Sequence, residues 1–265
     1  MTYVPLELPD LALAGLLVLV NGALSLLFRL RLERQYLIAA ARMVVQLLLI
    51  GLVLTWLFER VSPFWTGLAA LAMVLFAGRE IMARQDRPLR GLWRYGLGTT
   101  CMLMAAVTMT LFALTTSVSP EPWYHPQYAL PLLGMVLGNT MTAVSLGLQT
   151  LSNGLYRARA GVEAQLALGA TRQEATRPIA REALRAALMP IVNAMAATGL
   201  VSLPGMMTGQ ILAGVPPAEA VKYQLLIMFL IAGGTALGAV TAVLGGVYRL
   251  TDQRHRLRLD RLNPA

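Results

Sequence analysis

Residues 43–58 read MVVQLLLIGLVLTWLF, sixteen positions without an Asp, Glu, Lys or Arg. Uncharged blocks of the same kind occupy Leu11–Phe28, Trp65–Ala77, Tyr95–Val118 and Gln127–Tyr156. A run of about 18 or more apolar residues is what a helix needs to cross roughly 30 Å of hydrocarbon. Lipid offers no partner to an open backbone, so helix is the structure expected inside each block. Working outward from residues 43–58, the chain divides into seven expected spans: 10–28, 37–58, 62–78, 95–117, 127–151, 186–212 and 222–248. One such run could be a secretory signal, but seven cannot. The first lacks a basic start and a small-residue cleavage site, and is expected to be retained. The expected fold is all-α, a polytopic membrane helical bundle forming one transmembrane domain over residues 1–265.

Composition agrees with this reading. Hydrophobic residues make up 57% of the 265 positions and charged residues 13%, with a mean hydropathy of +0.61. A soluble domain carries about 25% charged residues. A net charge of +9 would suggest nucleic acid in a soluble chain, but here the charges alternate between loops. Arg29, Arg31, Arg34 and Arg42 follow the first span, and Arg79, Arg84, Arg87, Arg90 and Arg94 follow the third. Arg157, Arg159, Arg172, Arg177, Arg181 and Arg185 follow the fifth. Arg249, Arg254, Arg256, Arg258 and Arg261 close the chain. Only Arg60 and Lys222 fall on the other face, beside Glu7, Asp10, Glu59, Glu121 and Glu219. Basic loops stay cytoplasmic, so the N-terminus is expected outside and the C-terminus inside. All four tryptophans lie near span ends, where interfacial aromatics belong.

Several function classes are excluded. A P-loop needs Gly-Lys-Ser/Thr, and the only lysine, Lys222, stands in Ala-Val-Lys-Tyr. Ion-coupled carriers place costly carboxylates near the midplane, whereas no expected span has an Asp or Glu in its middle. His125 and His255 fall in loops, and the lone Cys101 builds neither a disulfide nor a zinc site. A retinal protein would need a lysine deep in its last helix, and Lys222 lies at a helix edge. No catalytic residues and no cofactor of the chain's own are expected.

The informative loop is 152–185. Ser152-Asn153-Gly154 is expected to break the fifth helix. Val162, Leu166 and Gly169/Ala170 then recur at helical spacing beside Glu163 and Gln165, which marks a short amphipathic helix. Gly169 is placed to end it, and Thr171 with Glu174 forms a Thr-x-x-Glu capping box that opens the next helix. On periodicity alone this is a surface-lying connector.

The letters add to that. Glu163-Ala164-Gln165, Gly169 and Ile179, at their spacing, resemble the EAA-type loop of ABC-transporter permeases, although the usual Leu-Pro after the isoleucine is absent. A closer resemblance rests on Gly134-Met-Val-Leu-Gly-Asn139-Thr-Met, Leu168-Gly-Ala-Thr171, Ala186-Ala-Leu-Met-Pro190, Gly199-Leu-Val-Ser-Leu-Pro-Gly-Met-Met-Thr-Gly209 and Ala220-Val-Lys-Tyr-Gln224. In order and spacing these are similar to the FetB/YbbM permease family, which has kin among plant half-transporters linked to aluminium tolerance. The resemblance implies a permease subunit of a bacterial inner-membrane ABC transporter, working as a homodimer and exporting iron or a related metal. It also implies a separate FetA-type ATPase that binds the ATP and Mg. Glu163, Ala164, Leu166, Gly169, Ala170, Thr171 and Glu174 would then couple the two. The plant branch leaves a nucleotide-sugar or other small solute open as substrate, and the residues alone leave a stand-alone carrier or a membrane scaffold open.

A path through the membrane would be sought at polar or small residues inside the spans. In the fifth these are Asn139, Thr140, Thr142 and Ser145, with Gly134 and Gly138 at a spacing suited to close helix packing. In the sixth they are Ser202, Pro204, Gly205, Met206, Met207 and Gln210, with Pro190 as a further interruption and a kink or break expected near Pro204. Thioethers suit copper(I) better than iron, so Met206 and Met207 read first as apolar filler and the metal ligands stay unknown. Arg42 is expected to snorkel to lipid headgroups.

Overall fold

The computed structural model describes residues 8–252 and 254–263, and Glu7 lies outside them. The chain folds into two compact units, residues 1–61 with 212–214, and residues 62–211 with 215–265. Among the described residues there are nine α-helices and no strand, only isolated bridges.

The first unit holds α1 (Leu8–Leu27) and α2 (Glu33–Glu59), packed on each other. Their turn is tied by the buried Ser25, whose hydroxyl donates to Glu33 Oε2 at 3.1 Å and accepts from the Leu32 amide at 2.9 Å. Elsewhere both helices show leucine, valine and isoleucine to their surroundings, which is tolerable only where those surroundings are lipid or another apolar surface.

The second unit contains α3 (Pro63–Ala83), α4 (Trp93–Phe112, prolonged by a π-helical turn over Ala113–Ser117), α5 (Pro126–Arg157), α6 (Arg159–Ala167), α7 (Arg172–Ala197), α8 (Gly205–Leu212, its last residue assigned to the first unit) and α9 (Pro217–Leu250). α5 packs against α3, α4, α7 and α9, and α9 packs against α4 and α7 as well. Small residues let α5 and α9 approach. A Cβ on Gly234 would sit 2.7 Å from Val136 Cγ1, one on Gly246 would sit 2.6 Å from Leu151 Cδ2, and one on Gly238 would overlap Thr140. These glycines of α9 thus form its packing surface against α5. Gly138 differs, since among the described residues no atom beyond its own stretch of helix lies within 4 Å of where its Cβ would be.

Among the described residues, six helices are long and apolar enough to span a bilayer: α1, α2, α3, α4 with its π turn, α5 and α9. They cover six of the seven expected spans, most with an added turn or two at the ends. The remaining expected span, 186–212, is not one helix. Its first part completes α7, and α8 holds its last eight residues, about 12 Å at 1.5 Å per residue. The break at 198–204 is thus complete rather than a kink. Gly199 takes a left-handed φ of +93°, the Ala197 carbonyl accepts from the amides of both Val201 and Ser202, and Pro204 brings no amide to continue the ladder. Pro190, by contrast, stays inside α7 without ending it.

Ser152-Asn153-Gly154 does not break the fifth helix either, because α5 continues to Arg157. Gly154 is there for closeness. A Cβ would lie 2.6 Å from Ile179 Cγ2 of α7. Ser152 is buried and Asn153 Nδ2 donates to Asp86 Oδ2 at 3.3 Å, so packing and a partner override the turn propensity of these residues.

Substituting the interlocked glycines separates packing from conformation. Gly238→Val and Gly246→Leu are each expected to cost about 1–3 kcal/mol through overpacking. Gly138→Ala is expected to be neutral or stabilising, since alanine is the better helix former. Thermal unfolding of the purified protein in detergent measures all three.

Candidate functional site

The loop between α5 and α7 folds as a knuckle anchored at one point. Val162 of α6 is 3% exposed and Leu166 packs against the same core, while Glu163, Ala164 and Gln165 face outward. Leu168 is 89% exposed, an apolar knob at the helix end. The chain turns there because the Gly169 amide donates to Leu166 O at 3.1 Å and the Ala170 amide to Gln165 O at 3.0 Å, with Gly169 at φ +94°. This pair of bonds closes a helix C-terminus and requires a residue that accepts the left-handed region. Three residues later α7 opens with the anticipated box. Thr171 Oγ1 accepts from the Glu174 amide at 3.3 Å, and Glu174 Oε2 accepts from the Thr171 amide at 2.8 Å. These bonds favour the ionised form and hold the Glu174 carboxyl below its ordinary range. Glu163 also meets Arg159 at 2.9 Å, but both side chains are largely in solvent, where such a pair is worth little.

α6 packs on both α5 and α7. The other basic segments of this unit meet at the same end. The Arg172 amide donates to His255 Nδ1 at 3.0 Å, the Arg90 amide to Arg261 O at 2.8 Å, and the Arg87 guanidinium stacks 3.6 Å from the centre of the Tyr156 ring. The basic loops after the third and fifth spans and the basic tail therefore share one end of the unit, as their charge suggested. Lys222 lies near the start of α9, paired with Glu219 at 2.7 Å.

The expected path residues divide into two groups. Asn139 and Thr142 lie on an outward face of α5, each bonded to its own helix: Asn139 Nδ2 to Met135 O at 2.9 Å and Thr142 Oγ1 to Gly138 O at 3.1 Å. By helical spacing this face continues through Leu146, Gln149 and Asn153 to Arg157. It ends in a cavity of about 500 Å³ that Ile179 and Glu182 of α7 close from the other side. Ser202, Pro204, Gly205, Met206, Met207 and Gln210 form the second group, along the break and α8, which makes no extensive contact with α5. Ser202 is exposed, Met206 reaches the core, and the Gln210 amide oxygen is buried without a partner.

Sequence reasoning passed over some residues. Asn193 sits exposed on α7 in line with Glu182, Ala186 and Met189, and that i, i+3/i+4 spacing was the available signal. The hydroxyls of Thr110 and Thr235 and the amide oxygen of Gln224 are buried without partners in α4 and α9, and no local pattern marks them, whereas the anticipated Thr140 and Ser145 are buried in α5. Among the described residues, no three His, Cys, Asp or Glu side chains come close enough to hold a metal ion.

Residues 8–251 match a family model described as "Uncharacterised protein family (UPF0014)". The chain belongs to this family. It is 37% identical over 263 residues to "UPF0014 membrane protein slr1647" of Synechocystis, covering 97% of this chain and 98% of that protein. It is 32% identical to "Probable iron export permease protein FetB" of Escherichia coli, over 96% of this chain and 95% of that one. "Protein ALUMINUM SENSITIVE 3" of Arabidopsis thaliana is 34% identical over 87% of this chain and 82% of its own length. No solved structure matches the chain significantly. Family and helices together make this a multi-pass membrane protein.

The capping box gives a local readout. Thr171→Ala removes an N-cap worth about 1 kcal/mol, so exchange of the first-turn amides of α7 should accelerate about fivefold in hydrogen-exchange mass spectrometry. Glu174→Gln should do the same near neutrality. Because the folded-state carboxyl is held low, its contribution is present above the ordinary value of 4.5 and lost as the pH falls through the folded value. The difference from wild type should therefore vanish on acidification.

Proposed function

We propose that this chain is the permease subunit of an ATP-driven transporter, two copies of which span a bacterial inner membrane and each bind a separate ATPase. ATP and Mg belong to that partner. The observation that carries the reading is the knuckle. It is exposed, its turn is capped on both sides by Gly169 and by the Thr171–Glu174 box, and it is anchored by Val162 and joined to two long helices, α5 and α7. A mechanical coupling element needs those properties, since a floppy loop would absorb displacement instead of passing it on. In this scheme Glu163, Ala164, Leu168 and Gly169 meet the ATPase. Closure of the ATPase dimer tilts α7, whose 26 residues span about 39 Å. The motion is then delivered to the break at 198–204. Ser202–Gln210 acts there as the gate, and Asn139, Thr142 and Asn193 flank the path.

The substrate we favour is iron or a related metal species moving out of the cytoplasm, by likeness to the Escherichia coli relative. A second reading has its own support. The polar side chains among the candidate path residues are neutral amides and hydroxyls, and among the described residues no acidic or histidine cluster awaits a bare cation. A small polar solute or a metal chelate suits such a lining as well. With the basic Arg29, Arg31 and Arg34 kept cytoplasmic, the N-terminus lies outside in this scheme.

Two substitutions test the coupling assignment. Glu163→Arg and Gly169→Leu should each abolish retention of the co-expressed ATPase on the tagged permease, and with it ATP-dependent transport in proteoliposomes. Intact retention and transport in both variants would refute the assignment. Cellular iron measured in an iron-loaded strain with and without the pair decides the substrate. Unchanged iron would favour the polar-solute reading.

A further inference from the structure

The tail of the chain is built, not trailing. Beyond α9 it makes a narrow turn in which Thr251 pairs with Leu257 and the Arg258 amide donates to Leu250 O at 2.8 Å. Leu262, 5% exposed, pairs with Leu89 and joins the hydrophobic core, and the Asn263 amide donates to Pro88 O at 2.9 Å. This folding gathers like charges. Arg172, Arg249, Arg254, Arg256, Arg258 and Arg261 line one cavity of about 560 Å³, with a single carboxylate, Asp252, among them.

Most of the cavity's polar groups are already oriented. Asp252 Oδ1 accepts from the amides of Arg254 and Arg256 at 2.9 and 2.8 Å, which shapes the turn and keeps the carboxyl ionised. Arg258 is engaged by Asp260 through two bonds of 2.9 and 2.8 Å. Arg261 Nη1 donates to Arg249 O at 2.7 Å. Arg172 and Arg249 stack on Tyr248 and Trp93, 4.8 and 4.9 Å from the ring centres. Those guanidiniums are held face-on to aromatics and have donors to spare. Arg249 Nε is buried with no partner, a costly state for a charged donor unless an acceptor arrives.

We infer that this cavity binds a phosphate-bearing anion, and that its occupant is the headgroup of an anionic membrane lipid. Six guanidiniums against two carboxylates, Asp252 in the lining and Asp260 on Arg258, leave an excess of positive charge that repels itself until an anion enters, and guanidinium is the side chain whose fork matches phosphate oxygens. The volume falls in the range of ordinary ligand sites. The depth favours lipid over a soluble phosphate. Trp93 opens α4 and Tyr248 lies in the last turn of α9, both helices of membrane-spanning length, and such aromatics sit at headgroup level. Arg172 is also the first residue of α7, next to the capped knuckle, so an occupied cavity would brace the helix that the knuckle drives.

The test uses full-length protein in nanodiscs of phosphatidylglycerol or of phosphatidylcholine, with retained lipid read by native mass spectrometry and stability read by thermal unfolding. The wild type should retain and be stabilised by phosphatidylglycerol selectively. Arg254→Gln with Arg256→Gln changes two solvent-side residues and spares the backbone bonds, and should weaken retention about tenfold or more, the scale of losing charge-assisted bonds. Arg31→Gln with Arg34→Gln, in the first unit, should leave retention unchanged. Stabilisation by inorganic phosphate that competes with the lipid would support the same chemistry with a soluble source. No preference between the two lipids and no effect of phosphate would overturn the inference. So would equal loss in the Arg31/Arg34 control, or intact lipid preference in the Arg254/Arg256 variant together with loss of the ATPase. That last pattern would assign the arginines to protein docking. None of these readouts requires transport or ATP.

Discussion

The close approach of α9 to α5 sets the spacing of everything else in the second unit. In lipid no hydrophobic force draws one apolar helix to another, and association depends on how well surfaces interlock. Gly234, Gly238 and Gly246 remove the side chains that would hold the two axes apart, and Val136, Thr140 and Leu151 fill the space. α4 and α7 then lie against a pair that is already fixed. The interlock resists any change in the spacing of the pair.

The same packing explains what is left outside. α7 keeps one face on the scaffold through Ala175, Ile179, Ala183, Ala187 and Ile191, after which residues 192–196 are all exposed. Leu200 and Val201, in the break, are 95% and 84% exposed. Apolar groups so placed need lipid or a second protein surface. α7 is thus anchored through its charged half and on to Ile191, and only its last turn has no buried residue. α6 and its exposed Leu168 stand at the anchored end.

The basic end shows electrostatics acting on two levels. Spread along the chain, arginines bias orientation across the bilayer. Gathered by the folded tail around Trp93 and Tyr248, they become a shaped cavity with donors held in place. Only the second level can recognise anything, because recognition needs fixed geometry as well as charge.

Much of this was legible in the residues taken in order. The apolar blocks marked six helices, because lipid leaves the backbone no alternative, and Gly169, Thr171 and Glu174 marked the knuckle, because caps are local chemistry between near neighbours. The tertiary structure decided the rest. It kept Ser152-Asn153-Gly154 helical, since Ile179 and Asp86 come from distant segments to receive them. It divided residues 186–212, since an uncharged run does not say where its carbonyls find amides. It left Gly138 open while interlocking Gly238, and it turned five tail arginines into part of one cavity by burying Leu262 against Leu89. Periodicity and capping act over one or two helical turns and can be read along the chain, whereas contacts between distant segments arise only when the helices meet.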